Sequence, residues 1–147
     1  LNPWHLVKRF VGALTASPLA AGEWHEVRQL LNAAESELFG RLTTADQRHA
    51  LHVLRRFDWF VPDASPAARR AALLHDIGKV DSPLGTMARV VATIVGPRGE
   101  VFRRYHEHES RGIELLVAAG SDALTVSLLH GDADPVLVEA LRRADAI

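Results

Sequence analysis

The chain contains no cysteine, which removes disulfides, thiolate metal sites and thiol catalysis together. It has no apolar run of membrane-spanning length and almost no segment that alternates like a strand. Internal repeats, low-complexity tracts and interdomain linkers are also missing. Neither sign of charge dominates: 17 Lys and Arg stand against 18 Asp and Glu, a net charge of −1. Nothing electrostatic therefore points to a nucleic-acid surface or an anionic membrane. No signal peptide is visible, and the opening Leu1-Asn2-Pro3 reads as a trimmed end, which leaves a targeting segment open. The default expectation is a soluble cytoplasmic domain. What the chain does have is 147 residues, 48% of them hydrophobic, enough for one domain with a real core. It also has eight histidines, and their placement becomes the question.

Almost every segment carries helical period, which predicts an all-α fold, a compact multi-helix bundle. Pro3 suits a first helical turn, and Trp4, Val7, Phe10-Val11 and Leu14 recur at three- and four-residue steps before Ser17-Pro18. A second amphipathic helix is expected from about Leu19 to Glu23 through Trp24, Val27, Leu30-Leu31, Ala34 and Leu38 to a stop at Gly40. Thr43 or Thr44 caps a third, carrying Ala45, Ala50, Val53-Leu54 and Phe57. Ser65-Pro66 reads as cap and first turn of a helix ending near His75-Asp76. Further helices are expected over about Leu84 to Val95 and Val101 to Ala119. The next starts at Ser121 or Asp122 and ends at His130-Gly131, and a last one opens at Asp134-Pro135 and runs through Val138, Leu141 and Ala144. Residues 1–42 are expected to form a helical extension packed on a core domain of residues 43–147. Trp4, Phe10, Trp24 and Leu31 are too apolar for free helices, so they should pack on that core or on a second copy, which leaves a homo-oligomer open.

The stretch Leu73-Leu74-His75-Asp76-Ile77-Gly78-Lys79-Val80 is the most informative. Its apolar lead-in anchors an adjacent imidazole and carboxylate, donors that suit a divalent metal. Gly78 offers a helix end where Lys79 can turn towards a ligand. Alone, the pair is as readily a buried His bonded to a carboxylate, and Lys79 as readily a solvated lysine. On the third helix, His52 shares a stripe with Arg48, Arg55 and Arg56 and faces solvent, whereas His49 shares one with Ala45 and Val53 and points nearer the core. His106 and His108, two residues apart, lie on about opposite helix faces, and periodicity does not choose between them. They lack the four-residue spacing of zinc proteases. His130 can reach into a cleft from its helix end, or simply favour the dipole there. Asp145 can equally pair with Arg142. His5 and His25 are assigned no chemistry.

Taken in order, His49, the doublet in His75-Asp76-Ile77-Gly78-Lys79, and Asp145 in Leu141-Arg142-Arg143-Ala144-Asp145 resemble the HD superfamily of metal-dependent phosphohydrolases. The resemblance covers about residues 43–147. It implies that His49, His75, Asp76 and Asp145 ligate a divalent cation (Mn, Fe, Ni, Zn, Co or Mg), one or two per chain. His108-Glu109-Ser110-Arg111-Gly112 looks like the family's His-Glu-x-x-Gly stretch, which favours His108 over His106, and His130 matches the next position. These two would serve a second metal or a substrate phosphate. The Gly-Tyr-Pro signature of cyclic-dinucleotide phosphodiesterases is absent after Gly112. The doublet continues as Ile77-Gly78 rather than the Glu-Asp of stringent-response hydrolases. The implied activity is hydrolysis of a phosphomonoester or phosphodiester, nucleotide-like in class, by a metal-activated water. Asp76 would also orient that water, Lys79 and less certainly Arg111 would offset phosphoryl charge, and His108 or His130 would hold phosphate or protonate the leaving oxygen. A degenerate or regulatory HD module that binds a nucleotide or partner without turnover is the alternative, although none of its four core ligands is missing. A helical interaction domain with coincidental histidines is a third.

Overall fold

The structure, a computed structural model, describes residues 3–81 and 110–146. The helix expected over 84–95, the first part of that expected over 101–119, His106 and His108 lie outside the described residues, as does the side chain of Phe10. The described fold is all-α: α1 Pro3–Thr15, α2 Ala21–Leu30, α3 Ala33–Gly40, α4 Thr44–Phe60, α5 Pro66–Leu74, a 3-10 turn Ile77–Asp81, α6 110–118, α7 Ala123–His130 and α8 Pro135–Asp145. No described helix is long and apolar enough to cross a membrane.

The centre of the packing is α4. Ala50, Leu51, Val53, Leu54 and Phe57 recur at helical spacing, are buried, and face α5 and α8. Thr43 rather than Thr44 caps it, its hydroxyl accepting the Asp46 amide at 3.2 Å. Ser65 caps α5 with Pro66 in the first turn. Ala68, Ala71 and Ala72 then give α5 a small, fully buried face on which α4 and α7 close in. Between α7 and α5, Thr125 Oγ1 donates to Ala67 O at 2.7 Å. Asp122 caps α7, Gly131 ends it in the left-handed conformation at φ 80°, and Asp134 caps α8 ahead of Pro135.

The single helix expected between Leu19 and Gly40 is two helices. Leu31 and Asn32 are extended, and Asn32 opens α3 with a capping box: its Oδ1 accepts the Glu35 amide at 2.7 Å, and Glu35 Oε2 accepts the Asn32 amide at 2.9 Å. The other Glu35 oxygen accepts Ser121 Oγ at 2.8 Å, so a carboxylate only 1% exposed is satisfied on both oxygens. The competing term was local: this reciprocal cap satisfies helix-end amides that a continuous helix would have satisfied internally.

Leu19, Val27, Leu30, Leu31, Leu38, Phe39 and Leu42 belong to the same hydrophobic cluster as α4 and α5. Trp24 packs against it, edge-on to Phe39 at 5.7 Å. Trp4 does not pack on that core: it is 64% exposed, and Val7, Val11 and Leu14 on the same helix are exposed too, which leaves the second copy as the expected partner. The apolar side of α4 is turned to α5 and α8. What α4 offers this end of the chain is polar, with Arg48 donating to Ser17 O, Pro18 O and the Glu23 carboxylate.

Candidate metal centre

Three elements deliver the central side chains. His49 lies on α4, one turn beyond Asp46, half-buried among Ala50 and Val53. His75 and Asp76 follow the end of α5 directly, and Asp145 is the last residue of α8. His49 Nε2 lies 3.0 Å from Asp145 Oδ1, and His75 Nε2 lies 3.2 Å from the same oxygen and 3.4 Å from Asp76 Oδ2. The two imidazoles meet edge-on, their centroids 5.4 Å apart. Donor atoms of His49, His75 and Asp76 all fall within 4.8 Å of one another, so this group could hold a metal ion. Asp145 is drawn to the two histidines and not to Arg142, whose guanidinium pairs with Glu139 at 2.9 and 2.7 Å.

The hydrogen bonding of His75 decides what its outer nitrogen can do. Nδ1 lies 2.9 Å from Ala72 O, and a carbonyl only accepts, so Nδ1 carries the proton. Nε2 is then a bare lone pair in the neutral ring, buried, facing two carboxylate oxygens and aligned as a hydrogen bond with neither. Two carboxylate oxygens converging on a buried lone pair demand positive charge between them, a proton or a cation. The electrostatics say the same. Burial disfavours the charged ring, but Asp76 and Asp145 outweigh it and push His75 up to about 10. Burial likewise opposes charge on Asp76, but His75 and Lys79 hold its carboxyl well below the usual range. The His49 hydrogen bond and the neighbouring His75 ring hold Asp145 far below it as well. An unsatisfied buried nitrogen ringed by oxygen donors fits a divalent cation.

Gly78 does not end a helix. The helix stops at Leu74, His75 keeps helical dihedrals, and the backbone tightens into the 3-10 turn with Lys79 N donating to Asp76 O at 3.0 Å. Gly78 is buried there against Gly112 of α6, where a Cβ would lie 3.0 Å from Gly78 N. Lys79 is not a solvated lysine: its side chain is 12% exposed, with Nζ 2.6 Å from Asp76 Oδ2 and 3.8 Å from Asp46 Oδ1. Arg111 is exposed and held by Asp81 and Glu114.

His75, Asp76 and Asp145 open onto a cavity of about 320 Å³. Its far side is built by α6, α7 and α8, with Leu128, Leu129, Val138 and Leu141 forming an apolar wall and His130 and Arg142 adding polar groups. His130 is exposed at the end of α7. Sequence reasoning missed Asp46, whose spacing three residues before His49 puts it on the same helix face. It also missed Arg142 as a lining residue, having read it only as a partner for Asp145. In comparisons with known proteins, no family model, no curated protein and no solved structure matches this chain.

Proposed function

We propose that this chain is an HD-type metal-dependent phosphohydrolase acting on a phosphomonoester or phosphodiester of a small, nucleotide-like molecule. One observation carries the reading. His49, His75-Asp76 and Asp145, from three separate elements, meet around the buried Nε2 of His75, and His75, Asp76 and Asp145 line a cavity. His49, His75 and Asp76 would hold a divalent cation, with Asp145 completing the set. Such a cation, when bound, acidifies water and draws charge from a phosphoryl oxygen.

The chain's own residues supply the rest. Ala72 O locks the His75 tautomer so that Nε2 points at the site. Asp76, ionised throughout the neutral range, lines the cavity and would orient a water by accepting its hydrogen bond. The apolar wall of Leu128, Leu129, Val138 and Leu141 packs the organic part of the substrate and excludes water from it. His130 and Arg142 stand where a phosphate oxygen or leaving group would meet a donor.

The test is a screen of phosphomonoesters, nucleotides and cyclic nucleotides with manganese, iron, nickel, cobalt, zinc or magnesium added singly, for one or two cations per chain. The expected result is hydrolysis that a chelator abolishes and that His49→Ala, His75→Ala and Asp145→Ala each lose. A chain that retains no cation and turns over none of these esters leaves only a binding role.

A further inference from the structure

Asp46 has no part in the ligand set, yet its two carboxylate oxygens face in different directions. Oδ2 accepts the Thr43 hydroxyl at 2.8 Å, within the cap of α4. Oδ1 faces Lys79 Nζ at 3.8 Å, beyond hydrogen-bond length but close for an ion pair between side chains 9% and 12% exposed. The same ammonium sits 2.6 Å from Asp76 Oδ2, the oxygen that faces His75 Nε2 at 3.4 Å. One cation is thus shared between a carboxylate of the site and a carboxylate behind it.

We infer that Asp46 is a positioning residue of the metal centre, acting through Lys79 to set how strongly the ammonium competes for Asp76. The inference rests on the metal reading above. With the Asp46 carboxylate behind it, part of the lysine's attraction is directed away from the site, and Asp76 Oδ2 keeps capacity for a second cation. Without that charge, more of the ammonium's field falls on Asp76. α4 thereby contributes twice from one face, His49 directly and Asp46 at one remove.

The experiment is a double-mutant cycle on the full chain, with Co²⁺ alone as the probe, read by its visible absorption and dissociation constant. Asp46→Asn keeps an oxygen for the Thr43 hydroxyl and removes only the charge. The expected result is Co²⁺ binding weakened about tenfold by Asp46→Asn, the scale typical of partners behind metal ligands. In the Lys79→Met background the same change should have no effect. Equal losses in both backgrounds would mean that Asp46 acts on the cation without Lys79, and a lowered melting temperature with unaltered Co²⁺ affinity that it only caps its helix; either result overturns the inference.

Should Asp46→Asn not fold, Lys79→Met tests the link from its other end. Removing the ammonium should change the Co²⁺ spectrum, and an identical spectrum and affinity overturn the inference. His75→Ala is the control that abolishes binding. A wild-type chain that takes up no Co²⁺ removes the metal reading and this inference with it. A wild-type chain that binds while Asp46→Asn leaves affinity unchanged removes the inference alone.

Discussion

Single side chains at the centre divide into those that would hold the cation and those that would meet the substrate. Asp76→Ala deletes a buried charged donor and leaves His75 and Lys79 facing each other across the gap. It should empty the site and end hydrolysis together. His130 lines the cavity from an exposed helix end, so His130→Ala should retain the cation and lose most turnover. Metal content per chain measured beside activity distinguishes the two, and equal metal loss in both variants contradicts the division. His75 makes the chelated protein sensitive to base. Its folded pKa lies near 10, above the unfolded value of about 6.5. The stabilisation from its extra proton is therefore full below pH 6.5 and disappears as pH rises through 10. Melting temperature in a chelator should fall across that window for the wild type, and the slope should flatten in His75→Gln.

At the scale of elements, two contacts fix the parts that carry the site. Gly112 of α6 lies so close to the 3-10 turn that an added Cβ would sit 3.0 Å from Gly78 N and 3.3 Å from Ile77 Cγ2. Backbone cannot retreat as a side-chain tip can, so Gly112→Ala should cost roughly 1–3 kcal/mol, read as a lower urea midpoint. Glu35 satisfies Asn32 and Ser121 from a buried position. Glu35→Ala removes its half of the capping box of α3 and the acceptor of the half-buried Ser121 hydroxyl, and should lower stability by roughly 1–3 kcal/mol in the same measurement. These elements also show what was readable beforehand. Ser65-Pro66 and Asp134-Pro135 announce helix starts because cap and proline act locally, and both are found. The break before α3 was equally local in cause, Asn32-x-x-Glu35, but it lies inside a continuous apolar stripe that masked it. The convergence of His49, His75, Asp76 and Asp145 was legible only from the resemblance of their order to the HD superfamily. The Lys79–Asp46 contact was not, because an acid in a first turn and a lysine after a glycine each have an ordinary local explanation.

For the whole molecule, the N-terminal third is not uniform. Leu19, Val27, Leu30, Leu31, Leu38, Phe39 and Leu42 are buried in the shared core, whereas Trp4, Val7, Val11 and Leu14 are exposed on α1. Burying each large apolar side chain is worth about 1.5–3 kcal/mol, against a total stability of about 5–15 kcal/mol for a domain. Deleting residues 1–42 should therefore leave no cooperative unfolding transition, while deleting residues 1–16 should preserve one at a modestly lower temperature. Calorimetry on the two truncations checks this, and a full transition without residues 1–42 contradicts it. The path of the chain through the site has a further consequence. His49 and Asp145 are separated by 96 positions and meet at 3.0 Å, so the docking of α8 closes a circuit that contains α5, α6 and α7. A contact of such sequence separation is slow to form, because loop-closure entropy must be met before it is made. A cation bridging the two ends would act as a clasp on the circuit: added to the folded chain, it should slow amide exchange most along α8, the segment that completes the ring.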